Sequence, residues 1–346
     1  MTRRDFAAAA TLSAQAIAAA PQPTTELTLI KPPALKPGDT VGLITPSSNV
    51  ADSAELDLGV KTVRDFGLNP KLGRNTDKRR GYLAGTVQER LDDLHAMFRD
   101  PDVRGIWCVR GGYGAPQLLD QIDYALVRAN PKVFLGYSDI TALHLAFNRL
   151  AGLVTFHGPV IIFHGGVSQF NPYTLDNLRR VIFRKEPIGA LTVPAGSLDH
   201  HVQTIRPGKA RGRLIGGNLS LLTALMGTRY EIETRNAILF TEEVGEATYR
   251  LDRMLTQLRL AGKLNAAAGI LFGECAECGA GDCKLTVEGA QSVADVVNAI
   301  IGQARVPAFS GLPIGHTAEQ LTLPLGIPAT LDADRGELVI EEAAVT

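Results

Sequence analysis

The chain has 346 residues, which is enough for two domains or one large one. Hydrophobic residues make up 45% of it and charged residues 21%, so ample material for a globular core is present. The 35 lysines and arginines nearly balance the 36 acidic residues, and the body of the chain has no basic cluster, which argues against a nucleic-acid partner. No apolar run approaches the roughly 18–20 residues of a membrane span.

The N-terminus, MTRRDFAAAATLSAQAIAAAPQP, has the features of an export signal. Residues 2–6 fit the Ser/Thr-Arg-Arg-x-Phe pattern of twin-arginine signals, and a weakly hydrophobic, alanine-rich stretch follows. Residues 16–18 offer small side chains to a signal peptidase, with cleavage expected near Ala19. The alternative is an alanine-rich first helix of the mature fold. We interpret residues 1–20 as a twin-arginine signal peptide, which predicts export to the periplasm in an already folded state.

Strand-like and helix-like segments alternate through the first half of the chain. The predicted elements are a strand at 39–44, a helix ending near Gly67, an amphipathic helix at 86–98, a strand at 103–109, a helix whose first turn holds Pro116, a strand around Val133 and a helix containing Ile140. This β–α–β–α order is typical of a parallel sheet covered by helices. The predicted fold class is therefore α/β, with an N-terminal parallel-sheet domain over residues 30–185.

A change in composition separates the two halves. Residues 186–208 contain several prolines, a glycine and a His200-His201 pair with weak periodicity, and we interpret them as a linker. The predicted elements beyond the linker are a helix reaching Met226, a strand at 237–240, a helix at 248–260, a short strand at 270–272, a helix at 293–301 and a closing hairpin through 332–336. Residues 209–343 are therefore predicted to form a second, C-terminal α/β domain.

The four cysteines divide into one core residue and one cluster. Cys108 lies in an apolar run, which favours a small buried side chain. Cys275, Cys278 and Cys283 lie at spacings of three and five. They suit a disulfide in an oxidising compartment, loop residues without a role, or a metal site in which one of the usual four ligands is missing. The three interpretations stay open.

Ser138 lies where a predicted strand passes into a helix, in GYSDITALHLAF at 136–147. Ligands bind at the C-terminal strand ends of parallel α/β sheets, and a serine there can be a nucleophile with the next amide facing an oxyanion. The glycine that follows the serine in a nucleophile elbow is absent here. Serine and aspartate are also preferred helix N-caps, so the local signal leaves Ser138 as either a cap or a nucleophile.

The sequence RGGYG at 110–114 ends the neighbouring predicted strand. Its glycines either let backbone N–H groups approach an anion or only provide the positive φ of a tight turn. A nucleotide phosphate site is disfavoured because the Rossmann spacing and the P-loop lysine are both missing.

Carboxylates and a histidine follow two further strand-like runs. Glu242 and Glu243 follow one run, and His316 follows the other, residues 307–314. Acidic residues before a helix are usually surface groups, and a lone histidine is more often structural than catalytic. Together with Ser138, however, these residues supply the nucleophile, base and orienting acid that acyl transfer requires.

The combination of motifs resembles the LD-carboxypeptidase family of serine peptidases. The matching pieces, in family order, are RGGYG at 110–114, GYSD at 136–139, HGP at 157–159, GGNLSLL at 216–222, EEVGEATYRLDRML at 242–255 and GHT at 315–317. The resemblance covers roughly residues 30–340, and the set is specific although no single piece is.

The resemblance implies a division of catalytic roles between two α/β domains. Ser138, in the N-terminal domain, matches the nucleophile, while Glu242 and His316, in the C-terminal domain, match the triad acid and the general base. The backbone amides of Asp139 and Gly112 match the oxyanion hole. The site is then expected in a cleft between the domains, and the chemistry requires neither a metal nor an organic cofactor.

The resemblance also implies a substrate. The family removes the terminal D-alanine from murein tetrapeptides, cutting after the L-centre of diaminopimelate, whereas a related branch cleaves an antibiotic peptide–nucleotide conjugate and confers immunity. A non-catalytic murein-peptide binding protein is the third alternative, and the oligomeric state, with a homodimer among the options, stays open. The chain departs from the family where Thr241-Glu242-Glu243 replaces the common Leu-Glu-Asp, which leaves open which glutamate orients the histidine.

Overall fold

Helices and strands alternate through most of the first half of the chain, as the sequence patterns predict, whereas strands follow one another directly between residues 189 and 218 and between residues 308 and 340. The computed structural model describes residues 27–163, 166–167, 170–194, 196–197, 200–279 and 291–346. The predicted signal peptide and Cys283 lie outside the described residues. The strands are β1 (Thr40–Ile44), β2 (Asn69–Leu72), β3 (Val103–Cys108), β4 (Val133–Gly136), β5 (Thr155–His157), β6 (Ile162–Phe163), β7 (Gly166–Val167), β8 (Gly189–Leu191), β9 (Gln203–Arg206), β10 (Lys209–Asn218), β11 (Ala237–Val244), β12 (Gly269–Ala276), β13 (Ala308–Ser310), β14 (Leu323–Leu325), β15 (Pro328–Asp332) and β16 (Glu337–Ile340). The α-helices are α1 (Ser53–Asp65), α2 (Val87–Arg99), α3 (Tyr124–Ala129), α4 (Thr141–Ala146), α5 (Pro172–Phe183), α6 (Leu219–Ala224), α7 (Thr248–Leu260), α8 (Lys263–Ala266) and α9 (Val293–Ile301), with 3-10 turns at Ala115–Leu118 and Ser138–Ile140 and a π turn at Phe147–Ala151.

The first sheet has six strands in the order β14-β5-β4-β3-β1-β2. The strands β1 to β5 pair in parallel, and β14 pairs antiparallel with β5. Its central strands are buried almost throughout, as strands covered by helices on both faces must be, with Leu43, Ile106 and Phe134 at 1% exposure or less. The prediction of an α/β fold with an N-terminal parallel sheet is confirmed.

Helix α2 illustrates how local sequence sets the elements that cover this sheet. Thr86 caps its N-terminus by accepting from the Glu89 amide, and the Glu89 side chain accepts from the Thr86 amide in return. Leu91, Leu94 and Phe98 then recur at helical spacing and are buried. The helix starts and ends within one residue of the predicted limits because both cap and apolar stripe are encoded locally.

The second sheet has eight strands in the order β8-β16-β15-β10-β11-β12-β13-β9. The strands β10 to β13 are parallel, and the outer strands add on in antiparallel pairs, among them the predicted hairpin β15–β16. The predicted linker at 186–208 contains β8 and β9, which form the two edges of this sheet. With three and four residues, β8 and β9 show too few alternations to be read from sequence, and they depend on pairing with strands far along the chain.

The two sheets are tied together by the last part of the chain. Strand β14 follows the second half in sequence but pairs with β5 of the first sheet, with Leu323 opposite His157. The C-terminal Thr346 exchanges backbone hydrogen bonds with the start of the fold, accepting from the Ala34 amide at 2.9 Å and donating to the Pro32 carbonyl at 3.0 Å. None of the helices in the described ranges is long and apolar enough to cross a membrane.

Candidate active site

Ser138 occupies a strained turn immediately after β4. Its φ of +65° is left-handed, a conformation that costs a non-glycine residue on the order of 1–3 kcal/mol and persists where the surroundings hold it. Neither Ser138 nor Asp139 acts as a helix N-cap, since the helical segments that follow have no side-chain cap hydrogen bond. The strained strand-to-helix turn instead has the form of a nucleophile elbow, with the serine side chain directed at the cleft.

The three residues predicted as a triad lie in one hydrogen-bonded chain. The Ser138 Oγ lies 3.2 Å from His316 Nε2, and His316 Nδ1 lies 2.8 Å from Glu242 Oε2. These residues are 178 and 74 positions apart in sequence, so the fold alone brings them together. With Nδ1–H donating to the carboxylate, Nε2 is free to accept the serine proton, which is the tautomer that general-base catalysis needs.

The two adjacent glutamates have different partners. Strand β11 continues past the predicted end at 240 to Val244, and its register with β12 shifts between Thr241 and Glu243. Glu242 is fully buried against His316. Glu243 accepts from Asn218 Nδ2 at 2.9 Å and from the Ser220 amide at 2.8 Å, at the start of α6.

The pKa of the Glu243 carboxyl is raised from its ordinary value, first by burial and then by the charge of Glu242. Glu243 therefore supports the local backbone around α6, while Glu242 is the carboxylate that contacts the histidine.

The glycine turn RGGYG packs directly on the serine. A Cβ on Gly111 would lie 2.9 Å from the Ser138 Cβ, so only glycine fits at this contact. Gly112 has φ +109°, and the Tyr113 amide donates to Ser48 Oγ at 3.0 Å. The turn thus lies within reach of the reacting atom and lines the same cleft as the serine. Whether the Gly112 amide stabilises an oxyanion remains a prediction.

Asp139 holds a second loop in place with its side chain. Its Oδ2 accepts from Ser47 Oγ and from the Ala115 amide, the latter at 2.7 Å. Burial raises the pKa of this carboxyl, and the hydrogen bonds from Ser47 and Ala115 oppose that shift. The Asp139 amide is one of the two predicted oxyanion donors, and the Asp139 side chain joins three segments around Ser138. Sequence reasoning missed the role of Ser47, since Pro46-Ser47-Ser48 carried only a loop signal.

Aromatic and histidine side chains pack behind His316. The Tyr137 ring lies edge-on to the His316 ring with centroids 4.7 Å apart, and burial together with the Glu242 charge raises the tyrosine pKa. His157 and His144 are fully buried, and burial lowers the pKa of both, to about 4 for His144. Both are therefore neutral near pH 7 and add no charge behind the triad.

The serine and histidine open onto a cleft of about 280 Å³. The first half of the chain contributes Gly112 and Ser138 to its walls, and the second half contributes Glu243 and His316. A cleft lined by both halves agrees with the expectation from a triad divided between them.

Two of the clustered cysteines follow the disulfide interpretation. Cys275 and Cys278 form a disulfide at the end of β12, where Cys275 pairs with Glu243 on β11. Cys108 is free and fully buried in the core, as predicted.

Comparison with known proteins places the chain in a family. The family model described as LD-carboxypeptidase N-terminal domain matches residues 41–158, and the one described as LD-carboxypeptidase C-terminal domain matches residues 211–331. The chain belongs to the LD-carboxypeptidase family. The resemblance seen in the sequence motifs is thereby confirmed.

Relatives in this LD-carboxypeptidase family carry two kinds of name. A Bacillus subtilis protein named "Probable murein peptide carboxypeptidase" is 41% identical over 90% of this chain and 94% of its own length. The Escherichia coli protein named "Microcin C7 self-immunity protein MccF" is 29% identical over 88% of this chain and 94% of its own length. The crystal structure of a muramoyltetrapeptide carboxypeptidase from Oxalobacter formigenes matches with a TM-score of 0.77 at 28% identity, covering 89% of this chain and all of that one.

Proposed function

We propose that this protein is a serine-type LD-carboxypeptidase that removes the terminal D-alanine from murein tetrapeptides through an acyl-enzyme. The observation that carries the proposal is the hydrogen-bonded chain from Ser138 through His316 to Glu242. The names of the Bacillus subtilis and Oxalobacter formigenes relatives support the substrate class.

The proposed reaction starts with proton transfer from Ser138 Oγ to His316 Nε2 as the serine attacks the peptide carbonyl. The buried Glu242 carboxylate stabilises the imidazolium that forms and fixes the ring orientation. The amides of Gly112 and Asp139 bind the oxyanion, and each such donor contributes about 3–4 kcal/mol in measured cases. His316 then protonates the leaving D-alanine amine, and a water activated by the same histidine releases the acyl group.

Replacement of Ser138 tests the nucleophile. Ser138→Ala removes the attacking oxygen, so D-alanine release from murein tetrapeptide should fall by roughly 10⁵–10⁶-fold. The free energy of unfolding should change by no more than about 1 kcal/mol, the typical net contribution of one hydrogen bond, because the hydroxyl contributes little packing and caps no helix. Ser53→Ala, at the exposed start of α1, is the matched control and should keep full activity. Turnover retained by a folded Ser138→Ala protein would exclude the mechanism.

An immunity-type hydrolase is the second candidate, favoured by the likeness to MccF over most of the chain. It would use the same triad on a peptide–nucleotide conjugate. Parallel assays with murein tetrapeptide and with such a conjugate compare the two substrates directly. A non-catalytic peptide-binding protein, the third alternative, would not be labelled at Ser138 by a fluorophosphonate, whereas either hydrolase would.

We further propose periplasmic localisation through the twin-arginine signal at residues 1–20. Murein peptides are exposed outside the inner membrane, so the location suits the substrate. Replacing Arg3 and Arg4 with lysine keeps the charge but removes the guanidinium groups, and the precursor should then remain in the cytoplasm. N-terminal sequencing of the periplasmic protein should find a start near Ala19. An intact Met1 on protein confined to the cytoplasm would refute the signal.

A further inference from the structure

A carboxypeptidase must recognise the free carboxylate at the end of its substrate. That carboxylate belongs to the leaving residue, so its binding group has to lie close to the nucleophile. Arg110 meets this requirement, because it lines the cleft and directly precedes Gly111, whose Cα packs on Ser138. Among the described residues that line the cleft, Arg110 is the sole lysine or arginine.

Among the described residues, the Arg110 side chain makes one hydrogen bond, which leaves most of its guanidinium unused. Its Nη1 donates to the Asn49 carbonyl at 3.0 Å, which fixes the side chain, while its Nε is buried without a hydrogen-bond partner. No salt bridge described within residues 27–163, 166–167, 170–194, 196–197, 200–279 and 291–346 involves Arg110. A partly buried cation without a counter-ion is unfavourable until an anion binds.

Arg90, a buried arginine in the same domain, provides a contrast. It donates to the carbonyls of Pro46 and Gly114 and to Gln117 Oε1, which uses its guanidinium within the fold. Arg90 therefore has a structural role that its contacts explain. The contacts of Arg110 anchor the side chain but leave donors for a ligand.

The remaining charges of the cleft direct an anionic group toward Arg110. Glu243 and Glu246 line the wall contributed by the second half, and they would repel a carboxylate. Glu243 already accepts from Asn218 and Ser220 and does not neutralise Arg110. Among the described residues of the cleft, a ligand carboxylate therefore finds its cationic partner on the side of the RGGYG turn.

We infer that Arg110 binds the terminal carboxylate of the scissile residue and thereby restricts the enzyme to exopeptidase cleavage. The planar guanidinium can donate two parallel hydrogen bonds to a carboxylate, which fixes the leaving residue as well as attracting it. This inference rests on the proposed function. Arg110 is a substrate-positioning residue, and it takes no part in proton transfer.

The test compares murein tetrapeptide with the same peptide ending in D-alaninamide. The wild-type enzyme should strongly prefer the free acid. Arg110→Gln should lower kcat/KM for the free acid by roughly 10–100-fold, the effect of losing a hydrogen bond to a charged group, and should affect the amide much less. The preference for the acid should therefore collapse, and Arg110→Lys should restore part of it.

Arg104→Gln is the matched control, since Arg104 lies exposed on β3, the strand that leads to the same turn. It should keep the wild-type preference for the acid. An Arg110→Gln enzyme that cleaves tetrapeptide with the wild-type acid-to-amide ratio would overturn the inference while leaving the proposed function intact. A wild-type enzyme that cleaves neither peptide, releasing no D-alanine from the acid and no D-alaninamide from the amide, would refute the proposed function, and the inference with it.

Discussion

Glu242→Gln removes the charge from the most deeply buried member of the predicted triad while keeping its shape. In the protein, the carboxylate accepts from His316 Nδ1–H at 2.8 Å and is fully shielded from solvent. A glutamine amide can donate to Nδ1 instead, which places the imidazole proton on Nε2 and leaves no acceptor for the serine proton. Loss of the triad acid in this way costs about 10⁴-fold in kcat elsewhere, equivalent to about 5.5 kcal/mol of transition-state stabilisation.

Glu243→Gln is the matched comparison because it makes the same chemical change one residue away. The carboxylate oxygens of Glu243 accept hydrogen bonds from Asn218 Nδ2 and from the Ser220 amide, so a glutamine at this position would place its NH₂ group against one of these donors. This should lower the free energy of unfolding by about 1–3 kcal/mol with less than a roughly tenfold effect on rate.

The assay couples D-alanine release to D-amino acid oxidase, with urea unfolding measured in parallel. If Glu243→Gln reduced kcat more than Glu242→Gln in folded proteins, the assignment of the triad acid would be wrong by one residue.

Two further predictions concern the backbone turn and the buried histidines. Gly112→Ala should reduce kcat by roughly 10–1000-fold. The residue has φ +109°, and an added Cβ would collide with the Ser48 side chain, so the turn must shift and move the predicted oxyanion donor. An unchanged kcat would remove Gly112 from that role. His144 has a folded pKa of about 4 against an ordinary value of 6.5, so the unfolded chain binds the proton first and stability falls as the pH drops through this window. Between pH 7.5 and 4.5 this should lower the free energy of unfolding by on the order of 2–3 kcal/mol. The His144→Gln protein, whose side chain can still donate to the Gly136 carbonyl, should lose less stability than wild type over the same pH range in urea unfolding. Identical pH profiles of the two proteins would contradict the assignment.

Elements with strong local signals were predictable from sequence. Helix α2 carries its own cap and apolar stripe, and α7 and α9 begin and end where the periodicity predicts. The strands β8 and β14 were not predictable, because they have three residues each and exist through pairing with β16 and β5. A three-residue apolar or mixed segment carries no period by which to recognise it.

The candidate site divides in the same way. The three residues predicted for the triad lie in contact. They could be named from sequence because the order of the motifs identifies them, whereas the distances between them could not. The left-handed φ of Ser138 and the bond from Ser47 to Asp139 are not encoded in any local pattern. The different partners of Glu242 and Glu243 depend on a register shift in β11, which arises from pairing with β12.

Strand β14, which follows the second half in sequence but pairs with β5 of the first sheet, affects how the protein can fold during synthesis. The first sheet lacks β14 until the ribosome has passed residue 325, and the hydrogen bonds of Thr346 to Pro32 and Ala34 form later still. A nascent first half would therefore expose the edge of β5, an open template for pairing with another chain. Expressing residues 27–185 alone should give an aggregating fragment, and adding the second half in trans should rescue its solubility. The two family-defined domains are consequently separate in sequence but not in assembly, and the predicted triad forms only after His316 has been synthesised.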